Sequence, residues 1–205
     1  MYALDDLLYI GNGMEPKCKQ HSHIKTVADW KAFFSEKLEI IRNEPDPENQ
    51  EYYIVDLGYN HSVFCINPLT GAANEKNSFR SDDNVKEYRY VLVESDNLTR
   101  GQQVALMKGL KLPIVSMTFS GNRSIHGLVR VDALPGVGEI KNKSDWDQKI
   151  KNGLFSQIVP LGFDRVTSNP SRLSRLPGMW RPDKLMFQRL IYLKDLNKNK
   201  GDSNV

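Results

Sequence analysis

The chain has 205 residues, 40% of them hydrophobic and 26% charged, with a formal net charge of +3. That supports one large domain or two small ones around a real core, and a pI near 8.7 is compatible with a nucleic-acid partner without requiring one. No apolar run approaches the ~20 residues of a membrane span, "MYALDDLLYIGNG" lacks the basic-then-apolar pattern of a secretory signal, and two cysteines, Cys18 and Cys65, cannot build a disulfide framework, so a cytoplasmic location is expected.

In chain order, residues 26–43 place Trp30, Phe33, Phe34, Leu38 and Ile41 at helical spacing. "EPDPENQ" at 44–50 ends that helix. "EYYIVDLG" and "SVFCINPLTG" read as two strands of a hairpin or meander, and residues 71–87 as a polar loop. "YRYVLVESD" reads as a strand and "TRGQQVALMKGLKL" as a helix capped by Thr99. "PIVSMTFS" and "SIHGLVRVDA" read as strands around a "GNR" turn, and "SDWDQKIKNGLFSQIV" as a helix capped by Ser144. "RLSRLPG" and "FQRLIYLKDL" supply later extended segments, and 195–205 a flexible tail. The order β-α-β-β-α-β is that of a split βαβ, RRM-like sheet. The expected class is therefore α+β: an N-terminal α/β module over 1–63, then a sheet domain over 64–194 with helices on one face and the other free for a site.

Three clusters carry chemistry. Glu94 and Asp96 lie two apart at a strand end, so they share a face roughly 6–7 Å apart, and two carboxylates so placed repel. They suit a divalent metal, Mg²⁺ or Mn²⁺, or else a solvated strand end in which Asp96 helps cap the next helix. In "SGNRSIH", Gly121 allows a tight turn whose amides can cradle a phosphate. Arg123, Ser124 and His126 add donors, the last two on one face; the bland alternative is a polar hairpin tip. In 162–183, Asp164 is a candidate third carboxylate, with Asp132 as rival, and Arg172 and Arg175 form either a phosphate contact or a solvated basic edge.

The series "NVKEYRYVLVESDNL", "LPIVSMTFSGNRSIHGLVRVDA" and "NPSRLSRLPGMWR" resembles the catalytic core of the archaeo-eukaryotic primase superfamily, most closely the bacterial and mobile-element primase-polymerases, including the CRISPR-associated kind. Glu94 and Asp96 match its paired acids, Ser124-Ile125-His126 its second motif, and Phe163-Asp164 its third. The resemblance covers about residues 64–182. It implies nucleotidyl transfer, in which a 3′-hydroxyl attacks the α-phosphate of a nucleoside triphosphate with the help of two divalent ions. Glu94, Asp96 and Asp164 would hold the ions. Arg123, Ser124 and His126 would grip the triphosphate, and Arg172 and Arg175 would meet phosphate or template. Template, primer and dNTP or NTP are the implied partners. The weak basic charge and the lack of a zinc module suggest the catalytic core of a larger multidomain protein.

Two other classes are weighed. A rolling-circle replication endonuclease needs paired histidines around a bulky apolar residue, whereas "HSH" at 21–23 has Ser22 there. A non-catalytic RRM-like module stacks bases on paired sheet aromatics, whereas these strands carry acids and histidine. Cys18, His21 and His23 offer three zinc ligands where a structural site wants four, and Cys65 belongs to an apolar strand, so no zinc is expected.

Overall fold

The computed structural model describes residues 2–12 and 21–194; Cys18 and the tail over 195–205 lie outside the described residues. The first strand, β1 (Leu7–Gly11), pairs with β2 (Ile24–Thr26). Thr26 then caps α1 (Val27–Asn43), its hydroxyl accepting from Asp29 N at 3.0 Å. Trp30 is the one buried residue of this helix and donates Nε1–H to Leu8 O at 2.9 Å.

The strand expected from "EYYIVDLG" is instead part of a helix, α2 (Pro47–Asn60). Its start lies in the segment read only as the end of α1. Asp46 accepts from Glu48 N at 2.9 Å, and Pro47 occupies the first turn, where its fixed φ suits a helix and its missing N–H costs nothing. The expected hairpin is therefore absent. Only β3 (Val63–Cys65) follows, and it pairs with β1.

The second half follows its pattern more closely. β4 (Tyr90–Val93) leads to α3 (Arg100–Gly109), which Thr99 and Gln102 close with a reciprocal capping box. β5 (Ile114–Phe119) and β6 (Ile125–Arg130) pair around Gly121, whose φ of 78° only glycine adopts freely. The next helix is capped by Asn142, not Ser144: Asn142 Oδ1 accepts from Asp145 N at 2.9 Å. That helix begins as α4 (Lys143–Trp146), widens to a π-helix (Asp147–Leu154) and ends as α5 (Phe155–Ile158). Next come β7 (Leu173–Arg175), the two-stranded hairpin β8 (Trp180–Arg181) and β9 (Met186–Phe187), and the outer strand β10 (Arg189–Leu193). At the hairpin tip Leu185 has φ 48°, a left-handed conformation that costs a leucine roughly 1–2 kcal/mol.

These strands form two four-stranded sheets, ordered β2-β1-β3-β7 and β10-β5-β6-β4. In the second, β4 and β5 are joined through α3 and separated by β6, a split βαβ arrangement. The fold is α+β. Alternation sorts this sheet's residues: Val91, Val93, Ile125 and Val129 pack with Met107, Trp146, Ile150 and Phe155 from the helices. Tyr90, Leu92 and Leu128 point the other way and meet Ile66 from beyond β3. The face expected to be free is thus covered by the N-terminal sheet, and it opens only past Leu92 and Leu128. The expected boundary at 63/64 falls inside β3, and the first sheet takes its fourth strand, β7, from residues 173–175.

One buried amide joins these parts. Asn67, fully buried, accepts from Arg89 N and Tyr90 N at 2.8 Å each through Oδ1, and donates through Nδ2 to Tyr90 O and Pro170 O at 2.9 Å each. Asn67→Ala should destabilise the chain by roughly 3 kcal/mol in urea unfolding, because it strands several buried backbone groups. Tyr2→Phe, which loses a single bond to Ile66 O, should cost only about 1 kcal/mol.

Candidate active site

Beyond Val93, which pairs with Gly127, the alternation of β4 puts Glu94 on the same face as Leu92, facing His126 of β6. Glu94 Oε2 lies 2.8 Å from His126 Nε2, and both residues are buried. On the other side of the ring, Nδ1 accepts from the backbone N–H of Arg175 at 3.2 Å and lies 3.2 Å from Ser174 Oγ. A backbone N–H can only donate, so Nδ1 is unprotonated and Nε2 carries the hydrogen offered to Glu94. The tautomer is set by β7, a strand of the other sheet.

Burial pushes the Glu94 carboxyl upward, but hydrogen bonds from His126 and Ser124 and the charge of Arg172 together outweigh it and hold the group at about 2. Arg172 Nη2 stands 3.6 Å from Glu94 Oε1.

Asp164 reaches the end of β4 from far along the chain. Its N–H donates to Glu94 O at 2.9 Å, and its Oδ2 accepts from Asp96 N at 2.9 Å. The three acids expected to act together are therefore brought to one strand end. Burial, followed by the charges of Asp96 and Glu94, raises the Asp164 carboxyl, although the Asp96 amide opposes this. Asp132 sits elsewhere, ion-paired with Arg130 at 2.6 Å past the far end of β6.

Between the sheets lies a cavity of about 700 Å³. Glu94, Asp96, Ser124, His126, Arg172 and Arg175 line it; Asp164 and Arg123 do not. Arg123 is exposed, and its carbonyl accepts from Gln103 Nε2 at 3.4 Å. Sequence reasoning missed Arg80 and Arg181. Arg80 lies over the Tyr9 ring at 5.4 Å and donates to Ser171 O at 3.2 Å; its stretch, 71–87, offered only polarity. Arg181 donates to Ser120 O at 3.1 Å, which ties the β8–β9 hairpin to the Gly121 turn; its signal was arginine density alone. Burial, then the charge of Arg181, lowers the Arg175 guanidinium pKa. Gly58 closes another wall. A Cβ there would lie 2.2 Å from Trp180 O, so α2 rests directly on β8.

For a divalent ion, the donor set is suited in kind: hard carboxylate oxygens whose mutual repulsion a cation relieves. Among the described residues no three acidic, histidine or cysteine side chains converge on one point. "HSH" forms a 3-10 turn rather than a strand, and Cys65 is buried in the core.

No protein-family model matches the chain, and no curated protein matches it. Among solved structures it resembles the AEP domain of the primase-polymerase (PrimPol) of cyanophage S-2L, with a TM-score of 0.51 and 14% identity over 94% of this chain and 83% of that one. The fold is distantly archaeo-eukaryotic primase-like. No helix among the described residues is long and apolar enough to cross a membrane.

Because the folded pKa of Glu94 lies below its ordinary value near 4.5, its stabilising contribution is fully present above that value and is lost as pH falls towards 2. Urea unfolding of wild type and Glu94→Gln should therefore differ by on the order of 2 kcal/mol near pH 6, and the gap should narrow steadily below pH about 4.5.

Proposed function

We propose that this chain is a template-directed nucleotidyltransferase of the primase-polymerase type. The observation that carries the reading is one cavity in which Glu94 and Asp96, with Asp164 bonded to the same strand end, face Arg80, Arg172, Arg175 and Arg181. On a primase-like fold, that pairing of acids and guanidiniums suits a triphosphate. The primer 3′-hydroxyl gives up its proton to solvent and its oxygen forms the new bond to the α-phosphorus, the α–β phosphoanhydride bond breaks, and pyrophosphate leaves.

Each residue then has a task. The arginines bind non-bridging phosphate oxygens and offset the charge that develops on the leaving group, with planar donors suited to two oxygens at once. Sequestered between the sheets, they act where water screens less. Asp96 and Asp164, with Glu94, would hold divalent ions, which supply Lewis-acid polarisation of phosphate oxygens and a more acidic 3′-hydroxyl. His126 keeps Glu94 ionised and oriented, and Ser124 adds a second donor. Arg123, outside the cavity walls, is assigned to the nucleotide or template at the rim.

The test is primer extension on a defined template with dNTPs or NTPs, in Mg²⁺ or Mn²⁺. Wild type should extend the primer; Asp96→Asn and Asp164→Asn should fall to background while their thermal unfolding stays near wild type, since both carboxylates sit at a repulsive, partly exposed strand end. Asp132→Ala should extend normally. Oligonucleotide binding by wild type without any incorporation would favour the RRM-like binding module instead.

A further inference from the structure

Helix α3 carries an amide where a buried helix face is normally apolar. Gln103 and Met107 are about one turn apart, so they share a face, and both are fully buried. That face lies directly on β6: a Cβ on Gly127 would stand 2.7 Å from Met107 Sδ. Met107 packs against the strand, and Gln103, nearer the helix start, meets the segment that enters it.

There the Gln103 side chain bonds three backbone groups. Oε1 accepts from Ile125 N at 2.8 Å, and Nε2 donates to Leu98 O at 2.9 Å and to Arg123 O at 3.4 Å. The Arg123 carbonyl and the Ile125 N–H belong to the two peptide units that flank Ser124, so one amide holds both. Ser124 is buried, has its hydroxyl 3.2 Å from that of Ser120, and supplies a hydrogen bond to Glu94. Leu98 closes the loop that carries Asp96, where the Ser95 hydroxyl accepts from Asn97 N and Leu98 N at 3.1 and 3.0 Å. The Leu98 side chain lies against Gly162, two residues before Asp164; a Cβ at 162 would meet it at 3.0 Å. The loop of the acid pair, the turn of Ser124 and the approach to Asp164 thus meet at one glutamine, which does not itself line the cavity.

We infer that Gln103 is a positioning residue for the candidate active site: from behind the cavity it orients Ser124 and places the Asp96 loop, and so sets the affinity of the cavity for a nucleoside triphosphate. The inference rests on the nucleotidyltransferase reading only in taking that ligand as the occupant. Filling space does not account for glutamine here. Methionine or leucine would fill it without burying an amide, but neither pairs a donor with the Leu98 carbonyl and an acceptor with the Ile125 N–H. Glutamate separates the two roles. As a neutral acid it offers the same pair, its O–H to Leu98 O and its second oxygen to Ile125 N. Once ionised it has no donor and turns a negative charge towards two carbonyl oxygens. Burial keeps such a carboxyl neutral to higher pH than usual.

The experiment is equilibrium dialysis of radiolabelled dATP and ATP against the full chain with Mg²⁺, without primer or template, at roughly pH 6 and about pH 8, with the Tm measured alongside. The Kd of Gln103→Glu, divided by that of wild type at the same pH, should be near one at the lower pH and about tenfold at the higher, the order expected from losing one hydrogen bond to a charged group. Gln103→Met should bind about tenfold more weakly at both. Met107→Ala, which opens space on the same helix face and breaks no hydrogen bond, should lower the Tm and leave the affinity unchanged. A Gln103→Glu ratio that does not change with pH, or wild-type affinity in Gln103→Met, would overturn the positioning role. So would equal weakening in Met107→Ala, which would trace the effect to stability alone. Wild type that binds neither nucleotide removes both this inference and the nucleotidyltransferase reading. A pH-dependent ratio in a protein that never extends a primer leaves Gln103 its role in nucleotide binding and removes only the polymerising chemistry.

Discussion

Asn67 is the point on which both sheets depend. Its amide makes four bonds to backbone from two stretches: three to Arg89 and Tyr90 at the start of β4, and one to Pro170 in the loop before β7. A buried amide with all partners made is rigid, and one with any partner missing is costly, so the arrangement has little freedom between those states. Three residues before β7, that fastening also fixes where Ser174 and Arg175 arrive. The bond from Arg175 N–H to His126 is therefore a consequence of Asn67, and so is the tautomer through which His126 meets Glu94.

The cavity follows from the same geometry. Where the two sheets touch, their facing residues are apolar: Ile66, Tyr90, Leu92 and Leu128. At the next facing position along β4 the apolar contact gives way to the cavity, and the alternation delivers Glu94 instead of another apolar side chain. A carboxylate that deeply buried survives only with several donors around it, and the walls provide a histidine, a serine and an arginine. The acids gather at the end of β4, whereas the guanidiniums come from the loop holding Arg80 and the stretch around β7 and β8. Opposite charges thus come from separate parts of the chain and meet at a seam, which suits a charged substrate entering between them.

Much of the second sheet was legible because its signals are local. A period-two run before a Thr-x-x-Gln capping box announces β4 and α3, and a glycine turn between two apolar runs announces β5 and β6. The pairing of Glu94 with Asp96 was legible for the same reason. Helix α2 was not: its tyrosines and β-branched residues mimic a strand, and Asp46-Pro47 serves at once as an end for one helix and a beginning for the next. The partner of β3 was invisible too, since β7 lies more than a hundred residues away. The proximity of Asp164 to Glu94 came from resemblance, for its bonds are to backbone atoms that no side-chain pattern marks. Arg80 was missed because a cation on a polar loop looks the same whether it faces solvent or a cavity. His126 was found, but not its orientation, which depends on a backbone N–H from the other sheet.

The close seat of α2 on β8 has a geometric consequence. With nothing but hydrogen at position 58, the helix backbone and the Trp180 carbonyl approach nearer than any side chain would permit. The helix, the hairpin and the Gly121 turn that Arg181 grips are therefore braced against one another around the cavity mouth. A displacement of any one is transmitted to the other two by direct contact. The aperture thus behaves as a three-sided frame whose width is set where Gly58 touches Trp180, and any molecule too wide for it must move all three sides together.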